Sequence, residues 1–200
     1  EGTGAANIIV EVDNTPVSYP KGTFVEANGC IAMEAQHYTA KRDVPGGGFV
    51  LLKPYGRLGT ALKVFPATAN FENSEERPYL EYTFAAAKGG NYHVQFHMSA
   101  TTPVTFEPKQ YIGYSVNGGA VQVVNTVHEE NRPFFGSEQW YAEGFANVKL
   151  IEAMIPCHAG VNTLRFYAVS PAIILEKIVL WPDGTTLPES YLGPRESYRC

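Results

Sequence analysis

The chain has 200 residues, which fit one large domain with a sizeable core, or two small domains with little room for a linker. Hydrophobic residues make up 44% of it and aromatic residues 12%, so the composition excludes a globally disordered chain. It has 15 Lys and Arg and 20 Asp and Glu, which give a net charge of −5. The chain therefore offers no basic stripe for binding nucleic acid. No apolar run approaches the ~20 residues that span a bilayer, so the sequence predicts no membrane partner either.

Short runs of alternating apolar and polar residues recur along the chain, with Gly, Pro and Asn between them. Residues 1–21 are predicted to be a linker or N-terminal extension, with one short apolar run at 8–12. In the remainder, 22–200, strands are predicted at 30–36, 49–52, 61–65, 79–84, 92–98, 111–116, 121–124, 148–155, 163–169 and 173–181. Asn117, Gly118 and Gly119 are typical of a hairpin turn. The pattern predicts an all-β protein, a β-sandwich of jelly-roll type, with at most a turn or two of helix.

No pattern among the titratable residues singles out a catalytic centre. His93 and His97 lie on the same side of one predicted strand, about 13 Å apart at ~3.3 Å per residue, which is too far for two ligands of one metal ion. No Ser-His-Asp arrangement is marked, and no spacing of glutamates selects the facing carboxylates that a glycosidase needs. Cys30 and Cys157 lie in or beside predicted strands; free thiols are expected, with a disulfide as the alternative in a secreted protein.

Two glutamates interrupt otherwise hydrophobic strands, Glu34 in the segment 31–36 and Glu176 in the segment 173–178. If these strands lie side by side in a sandwich, both carboxylates can share one oxygen-rich site. Calcium takes six to eight oxygen ligands of this kind. The alternative is that both are ordinary solvent-facing carboxylates at a sheet edge.

Several aromatic side chains lie outside the predicted strands, in polar segments rich in Gly and Pro. Sugar-binding sites commonly combine an aromatic ring, which stacks on the sugar, with polar groups that bond its hydroxyls. Rings of this kind can also simply cover the hydrophobic core. The segment 128–141 is the most suggestive, and Trp140 is its candidate stacking ring because it is expected in a loop. Arg57 or Arg132 supplies the forked donor that suits a sugar carboxylate. The candidate carbohydrate-binding residues are Tyr38, Tyr55, Arg57, Asn131, Arg132, Trp140 and Tyr141.

Glu34, Ala35 and Gln36 resemble the Glu-Ala-Glu signature of carbohydrate-binding module families 6 and 35. Further segments follow in the order of those modules, at 46–49, 89–94, 116–119, 159–165 and 175–178. The resemblance implies a jelly-roll sandwich of the galactose-binding-like type, with a structural calcium ion held by Glu34, Gln36 and Glu176. Gln36 stands where the modules have a second Glu, and Glu176 where they have Asp, so one negative charge is lost from that site.

A narrower resemblance, over roughly 22–198, is to the C-terminal domain of family 115 glycoside hydrolases. It rests on segments at 24–26, 55–66, 78–82 and 171–179, and most specifically on the ending Ser-Tyr-Leu-Gly-Pro-Arg-Glu-Ser at 190–197. Those enzymes are xylan α-1,2-glucuronidases, which remove glucuronic acid or its 4-O-methyl ether from xylan. Their catalytic site lies in preceding domains built on an α/β barrel, which this chain lacks.

The resemblance therefore implies an ancillary, non-catalytic domain of a secreted or periplasmic glucuronidase. Its expected partners are glucuronoxylan or a related plant cell-wall polysaccharide, and the catalytic domains of the parent enzyme. The alternative is a structural or dimerisation domain, in a homodimer formed through the parent enzyme, that binds no sugar itself. A groove with an exposed ring and polar neighbours would favour the carbohydrate-binding domain. A large apolar patch without a groove would favour the structural or dimerisation domain.

Overall fold

Alternating apolar residues build two sheets in this chain, whose computed structural model describes residues 18–104, 107, 109–128, 135–187 and 190–200. One helix, α1 (Glu138–Ala146), and a 3-10 turn (Ala35–His37) accompany the strands of the described part. The strands are β1 (Phe24–Val25), β2 (Ile31–Glu34), β3 (Ala40–Arg42), β4 (Gly48–Leu52), β5 (Ala61–Phe65), β6 (Tyr79–Ala86), β7 (Gly90–Met98), β8 (Tyr111–Val116), β9 (Gln122–Asn125), β10 (Lys149–Cys157), β11 (Gly160–Ala168) and β12 (Ile174–Pro182).

The two sheets have six strands each. The first has the order β1-β6-β11-β8-β9, with β3 also paired to β6, and the second has the order β10-β7-β12-β5-β4, with β2 also paired to β12. Neighbouring strands run antiparallel except β1 and β6. Side chains of both sheets form one hydrophobic cluster between them. The predicted β-sandwich is therefore confirmed.

The strand period of two residues decides which side chains form the core. On β7, the core contains the buried side chains of Tyr92, Val94, Phe96 and Met98. The residues between them, His93, Gln95 and His97, lie on the outer face of the sheet, as predicted. Strand β12 is buried on both faces, because a second apolar cluster around Trp181 lies on its outer side. The C-terminal segment 190–200 runs along the same side, where its backbone bonds to β2. The outer face of the second sheet is thus partly covered by the end of the chain.

Helix α1 corrects the prediction of at most a turn or two of helix, since it spans nine residues. The Ser137 side chain caps its N-terminus by accepting a bond from the Trp140 amide, and Asn147 in the left-handed conformation ends it. None of its residues is buried, so it lacks the apolar stripe from which a helix is predicted. Trp140 and Tyr141 therefore lie on a helix and not in a loop.

Some sequence predictions fall outside the described residues. The short run at 8–12 and most of the predicted extension 1–21 belong to the undescribed segment 1–17, so the division of the chain at residue 21 stays a prediction. Cys30, Cys157 and Cys200 are free thiols in the structure. Among the described residues, no helix is long and apolar enough to cross a membrane.

Candidate functional site

A groove of about 570 Å³ lies on the outer face of the second sheet, beside the C-terminal segment. Strand β7 contributes Gln95 and His97, because their side chains alternate with the core residues of that strand. The loop between β4 and β5 contributes Arg57, and the C-terminal segment contributes Tyr191. The groove thus combines a cation, an exposed ring and neutral polar groups.

A chain of hydrogen bonds crosses the floor of this groove. Arg57 Nη2 lies 3.1 Å from Nδ1 of His97, and Nε2 of His97 lies 2.7 Å from Oε1 of Gln95. The amide nitrogen of Gln95 then donates to Glu152 Oε1 at 2.7 Å. A guanidinium can only donate, so Nδ1 of His97 accepts and Nε2 carries the proton that Gln95 accepts. The chain therefore has one fixed direction, from Arg57 to Glu152.

His97 is held in its neutral form by this environment. The side chain is 4% exposed, and burial together with the nearby charges of Arg57 and Lys177 lowers the pKa of His97 to about 3. Protonation would also place a donor against the Arg57 guanidinium. His97 is accordingly a neutral polar group of the groove at ordinary pH.

Arg57 is only partly satisfied by its protein partners. Its Nη1 donates to the backbone carbonyl of Tyr191, and its guanidinium carbon lies 5.1 Å from the centroid of the Tyr191 ring. Its Nε is buried and has no hydrogen-bond partner among the described residues. Tyr191 itself is 62% exposed, so one side of its ring remains open to solvent. Arg57 therefore retains donors for a further acceptor in the groove.

The loop that carries Arg57 is fixed from below by a buried glutamate. Glu176 is 1% exposed; its Oε2 accepts from the Arg57 amide at 3.2 Å, and its Oε1 accepts from the Ser99 hydroxyl at 2.7 Å. Gly56 passes directly over this carboxylate with φ of +64°, and a Cβ there would lie 2.6 Å from it. Only glycine allows this close approach, and the approach positions Arg57.

The structure separates the predicted carbohydrate-binding residues into different places. Only Arg57 lines the groove, and its sequence neighbour Tyr55 is not among the described lining residues. Tyr38 packs against the core and lines a cavity of about 330 Å³ near β4. Asn131 and Arg132 lie outside the described residues.

Trp140 and Tyr141 lie in a second cavity of about 370 Å³, formed by α1 and the segment 100–102. The rings of Tyr141 and Phe145 stack at 6.4 Å, and Phe145 is 86% exposed. Trp140 meets Tyr141 edge-on at 4.9 Å. This surface is aromatic and mainly apolar, unlike the polar groove around Arg57.

Gln95, His97 and Tyr191 line the groove and were not predicted as site residues. The strand period places Gln95 and His97 on an outer face, but it does not indicate that the C-terminal segment turns this face into a groove. Tyr191 belongs to the segment 190–197, the most specific motif of the chain, so a signal for it was present in the sequence.

The residues predicted to hold calcium do not form one ligand set in the described part of the chain. Strand β2 does pair with β12 as expected, and Gln36 Nε2 donates to Glu34 Oε2 at 3.1 Å. The oxygens of Glu176, however, are engaged by Ser99 and by the Arg57 amide. The cation beside Glu34 is the buried ammonium of Lys177. This donor set does not fit the shell of six to eight oxygens that calcium requires.

Residues 23–196 match the family model described as the glycosyl hydrolase family 115 C-terminal domain. A comparison with curated proteins gives no match. Among solved structures, BtGH115A, a family 115 4-O-methyl-α-glucuronidase with specificity for decorated arabinogalactans, aligns with 86% of this chain at a TM-score of 0.60 and 14% identity. The alignment covers 20% of that enzyme, so the chain spans about a fifth of its length.

Two further structures share the fold of this chain. A family 35 carbohydrate-binding module from Clostridium thermocellum aligns over 75% of this chain and 97% of its own, with a TM-score of 0.51 and 20% identity. A GH26-CBM35 β-(1,4)-mannanase from Podospora anserina aligns over 81% of this chain and 29% of its own, with a TM-score of 0.50 and 14% identity. At these identities the similarity concerns the β-sandwich alone. The family match, which covers most of the chain, establishes that it belongs to the C-terminal domain family of the family 115 glycosyl hydrolases.

Proposed function

We propose that this domain is a non-catalytic carbohydrate-binding module that binds the uronic acid branches of a plant cell-wall polysaccharide in the groove around Arg57. The parent enzyme in this proposal is a xylan α-1,2-glucuronidase, and the preferred ligand is glucuronoxylan with its (4-O-methyl)glucuronic acid branches. Binding would keep the catalytic domains close to their polymeric substrate. Because such polymers lie outside the cell that degrades them, the proposal implies a secreted or periplasmic enzyme.

The observation that carries the proposal is the Arg57 guanidinium in a groove with an exposed ring, where each of its two Nη atoms donates one hydrogen bond to the described residues and keeps a further N–H. A planar guanidinium pairs with a carboxylate through two parallel hydrogen bonds. A uronate is the sugar that brings such a carboxylate. Tyr191 offers the exposed side of its ring to the apolar face of a sugar, and neutral polar groups of the groove can bond its hydroxyls.

The branch sugar, and not the polymer backbone that carries it, is the ligand feature in this proposal. The related enzyme BtGH115A is described as a 4-O-methyl-α-glucuronidase specific for decorated arabinogalactans, and the sequence resemblance is to xylan α-glucuronidases. The two share the glucuronate branch and differ in the backbone that carries it. A domain that binds the glucuronate branch through Arg57 should therefore bind both glucuronoxylan and decorated arabinogalactan. It should lose affinity for either polymer when the uronic acids are removed.

Affinity electrophoresis of the 200-residue chain tests this directly, with glucuronoxylan, xylan stripped of uronic acids and decorated arabinogalactan as the embedded polymers. We expect strong retardation by glucuronoxylan and weak retardation by stripped xylan. Arg57→Lys keeps the charge but removes the forked donor, so it should abolish that preference. Tyr191→Ala should weaken binding by roughly 5- to 150-fold, if sugar stacking resembles base stacking at ~1–3 kcal/mol per ring.

Tyr141→Ala is the matched control, because it removes a similarly exposed ring from the second cavity. It should leave retardation unchanged. Equal retardation by glucuronoxylan and stripped xylan would contradict the role of the uronate. No retardation by any polymer would refute sugar binding.

The second candidate function is a structural or dimerisation domain of the parent enzyme, and the exposed aromatic surface of α1 favours it. Phe135, Tyr141 and Phe145 are 56%, 52% and 86% exposed. Rings grouped at a surface in this way are typical of contact regions between proteins. Sedimentation of the wild-type chain and of Phe145→Ser would test this candidate. A wild-type chain that self-associates and a Phe145→Ser chain that does not would support it. A wild-type chain that stays monomeric at all concentrations would refute self-association.

A further inference from the structure

Lys177 is a buried lysine on the outer face of the second sheet. It lies in β12 directly opposite Glu34 of β2, so the two side chains stand on the same face of the sheet. The residue is 2% exposed. A charged group removed from water to this extent requires hydrogen-bond acceptors and opposite charges around it.

Both requirements are met by groups from two distant parts of the chain. The Nζ atom donates to the backbone carbonyls of Leu192 at 2.9 Å and Pro194 at 2.8 Å. Glu34 and Glu196 are the acidic neighbours that interact electrostatically with it, and Arg57 is the basic one. Glu196 in turn accepts from the backbone amide of Glu34 at 2.9 Å.

The acidic groups here also form the one cluster of candidate metal ligands found in the described residues. Ligand atoms of Glu34, His37 and Glu196 lie within 4.8 Å of one another. Nδ1 of His37 lies 2.8 Å from Glu196, so that pair is already bonded. Calcium would find the same kinds of group around it, carboxylates together with backbone carbonyls. In this chain, two carbonyls bind an ammonium instead, and the carboxylates of Glu34 and Glu196 interact with it electrostatically.

We propose that the Lys177 ammonium is an internal substitute for a structural cation, which joins β2, β12 and the C-terminal segment without a metal ion. An ammonium has three donors in a compact positive group, so it can bond two carbonyls and still neutralise adjacent carboxylates.

The proposal has a consequence for the groove. Leu192 and Pro194 flank Gly193, and this segment also carries Tyr191. By holding the two carbonyls, Lys177 fixes the segment against the sheet and thereby positions the Tyr191 ring beside Arg57. The lysine does not itself line the groove among the described residues, and its role is independent of which polymer, if any, the groove binds.

Thermal unfolding of the whole chain tests the proposal, measured in millimolar calcium and in excess chelator. The wild type should melt at the same temperature in both. Lys177→Met keeps the length of the side chain but removes its charge and its hydrogen bonds to the two carbonyls. Loss of two hydrogen bonds from a charged donor should lower the melting temperature by roughly 6–24 °C in chelator. Calcium should restore part of the loss in Lys177→Ala, which leaves space for a cation, and none of it in Lys177→Met, which fills that space.

Lys63→Met is the matched control, since Lys63 lies on β5 of the same sheet and is only half-buried. It should melt close to the wild type in both conditions. A wild type stabilised by calcium would overturn the proposal without any variant, even if Lys177→Met failed to fold. A Lys177→Met chain as stable as the wild type, or a Lys177→Ala chain destabilised without calcium rescue, would overturn it as well.

Discussion

Arg57 donates a hydrogen bond to Nδ1 of His97 at 3.1 Å, although 40 residues separate the two along the chain. The bond joins the loop before β5 to the outer face of β7, and it is compatible only with an uncharged His97. The geometry of the groove therefore depends on the protonation state of one buried imidazole.

The first prediction is that acid destabilises the protein through His97. Its pKa is about 3 in the folded chain against 6.5 without the fold, so below pH 6.5 the unfolded chain binds a proton that the folded chain does not. The free energy of unfolding should fall by about 1.4 kcal/mol per pH unit from this residue, between pH 6.5 and about 3. Urea unfolding of wild type and His97→Gln across this range should show a shallower dependence in the variant.

His158→Gln is the control for this measurement, because His158 is exposed in the turn after β10. Its pH dependence should follow that of the wild type. Parallel curves for wild type and His97→Gln would contradict the assignment of the acid sensitivity to His97.

The second prediction concerns the glycine beneath Arg57. Gly56→Ala places a Cβ at 2.6 Å from the Glu176 carboxylate, in addition to the strain of a left-handed backbone. Gly59→Ala has the same kind of backbone, with φ of +81°, but meets nothing within 4 Å. Gly59→Ala should lose about 1–2 kcal/mol of unfolding free energy from the backbone alone. Gly56→Ala should lose clearly more and should also weaken polymer binding; equal losses would refute the close approach.

The third prediction is that a buried lysine anchors α1 to the sandwich. Lys149 is fully buried in β10, where Nζ donates to Gln110 Oε1 at 2.9 Å and lies 3.5 Å from Glu143 of α1. Burial lowers the pKa of Lys149 and raises the pKa of Glu143, so each needs the other to remain charged. Lys149→Met should cost about 3–5 kcal/mol in urea unfolding.

A second variant distinguishes the lost charge pair from lost packing. In Lys149→Met/Glu143→Gln no buried carboxylate is left without its partner, so part of the stability should return. A double variant that is less stable than Lys149→Met would argue against the pairing of the two residues.

The fourth prediction is that the chain hydrolyses no aldouronic acid. The described residues that line the groove include no Asp or Glu, whereas glycoside hydrolysis needs two facing carboxylates. Incubation with aldouronic acids should release no uronic acid above the background of heat-treated protein. Release at a rate comparable to that of a full-length glucuronidase would contradict the ancillary role.

Most strands of this protein could be predicted from alternation alone, because the direction of a side chain in a strand depends only on its position in the strand. The predicted bounds 61–65 and 111–116 are those of β5 and β8. The two shortest strands, β1 and β3, were missed because two or three residues contain no repeat. Helix α1 was missed because a helix without a buried face has no apolar period.

The candidate site was predictable only in part. Arg57 was predicted from its chemistry, with Arg132 as the alternative, but the ring beside Arg57 is Tyr191, which lies 134 residues away, and not the predicted Trp140. Trp140 was selected as a loop residue, and the helix that carries it places it in another cavity.

The sequence by itself determined the all-β class, the inward and outward faces of the long strands and the family, because these depend on local periodicity and on motifs. Only the tertiary structure decided which polar groups meet. Lys177 faces Glu34 because of the register between β12 and β2, and a slip of one residue would turn one of the two side chains to the opposite face. Tyr191 reaches Arg57 because the end of the chain crosses the second sheet. Contacts of this kind depend on strand order and register, which no single segment of the sequence encodes.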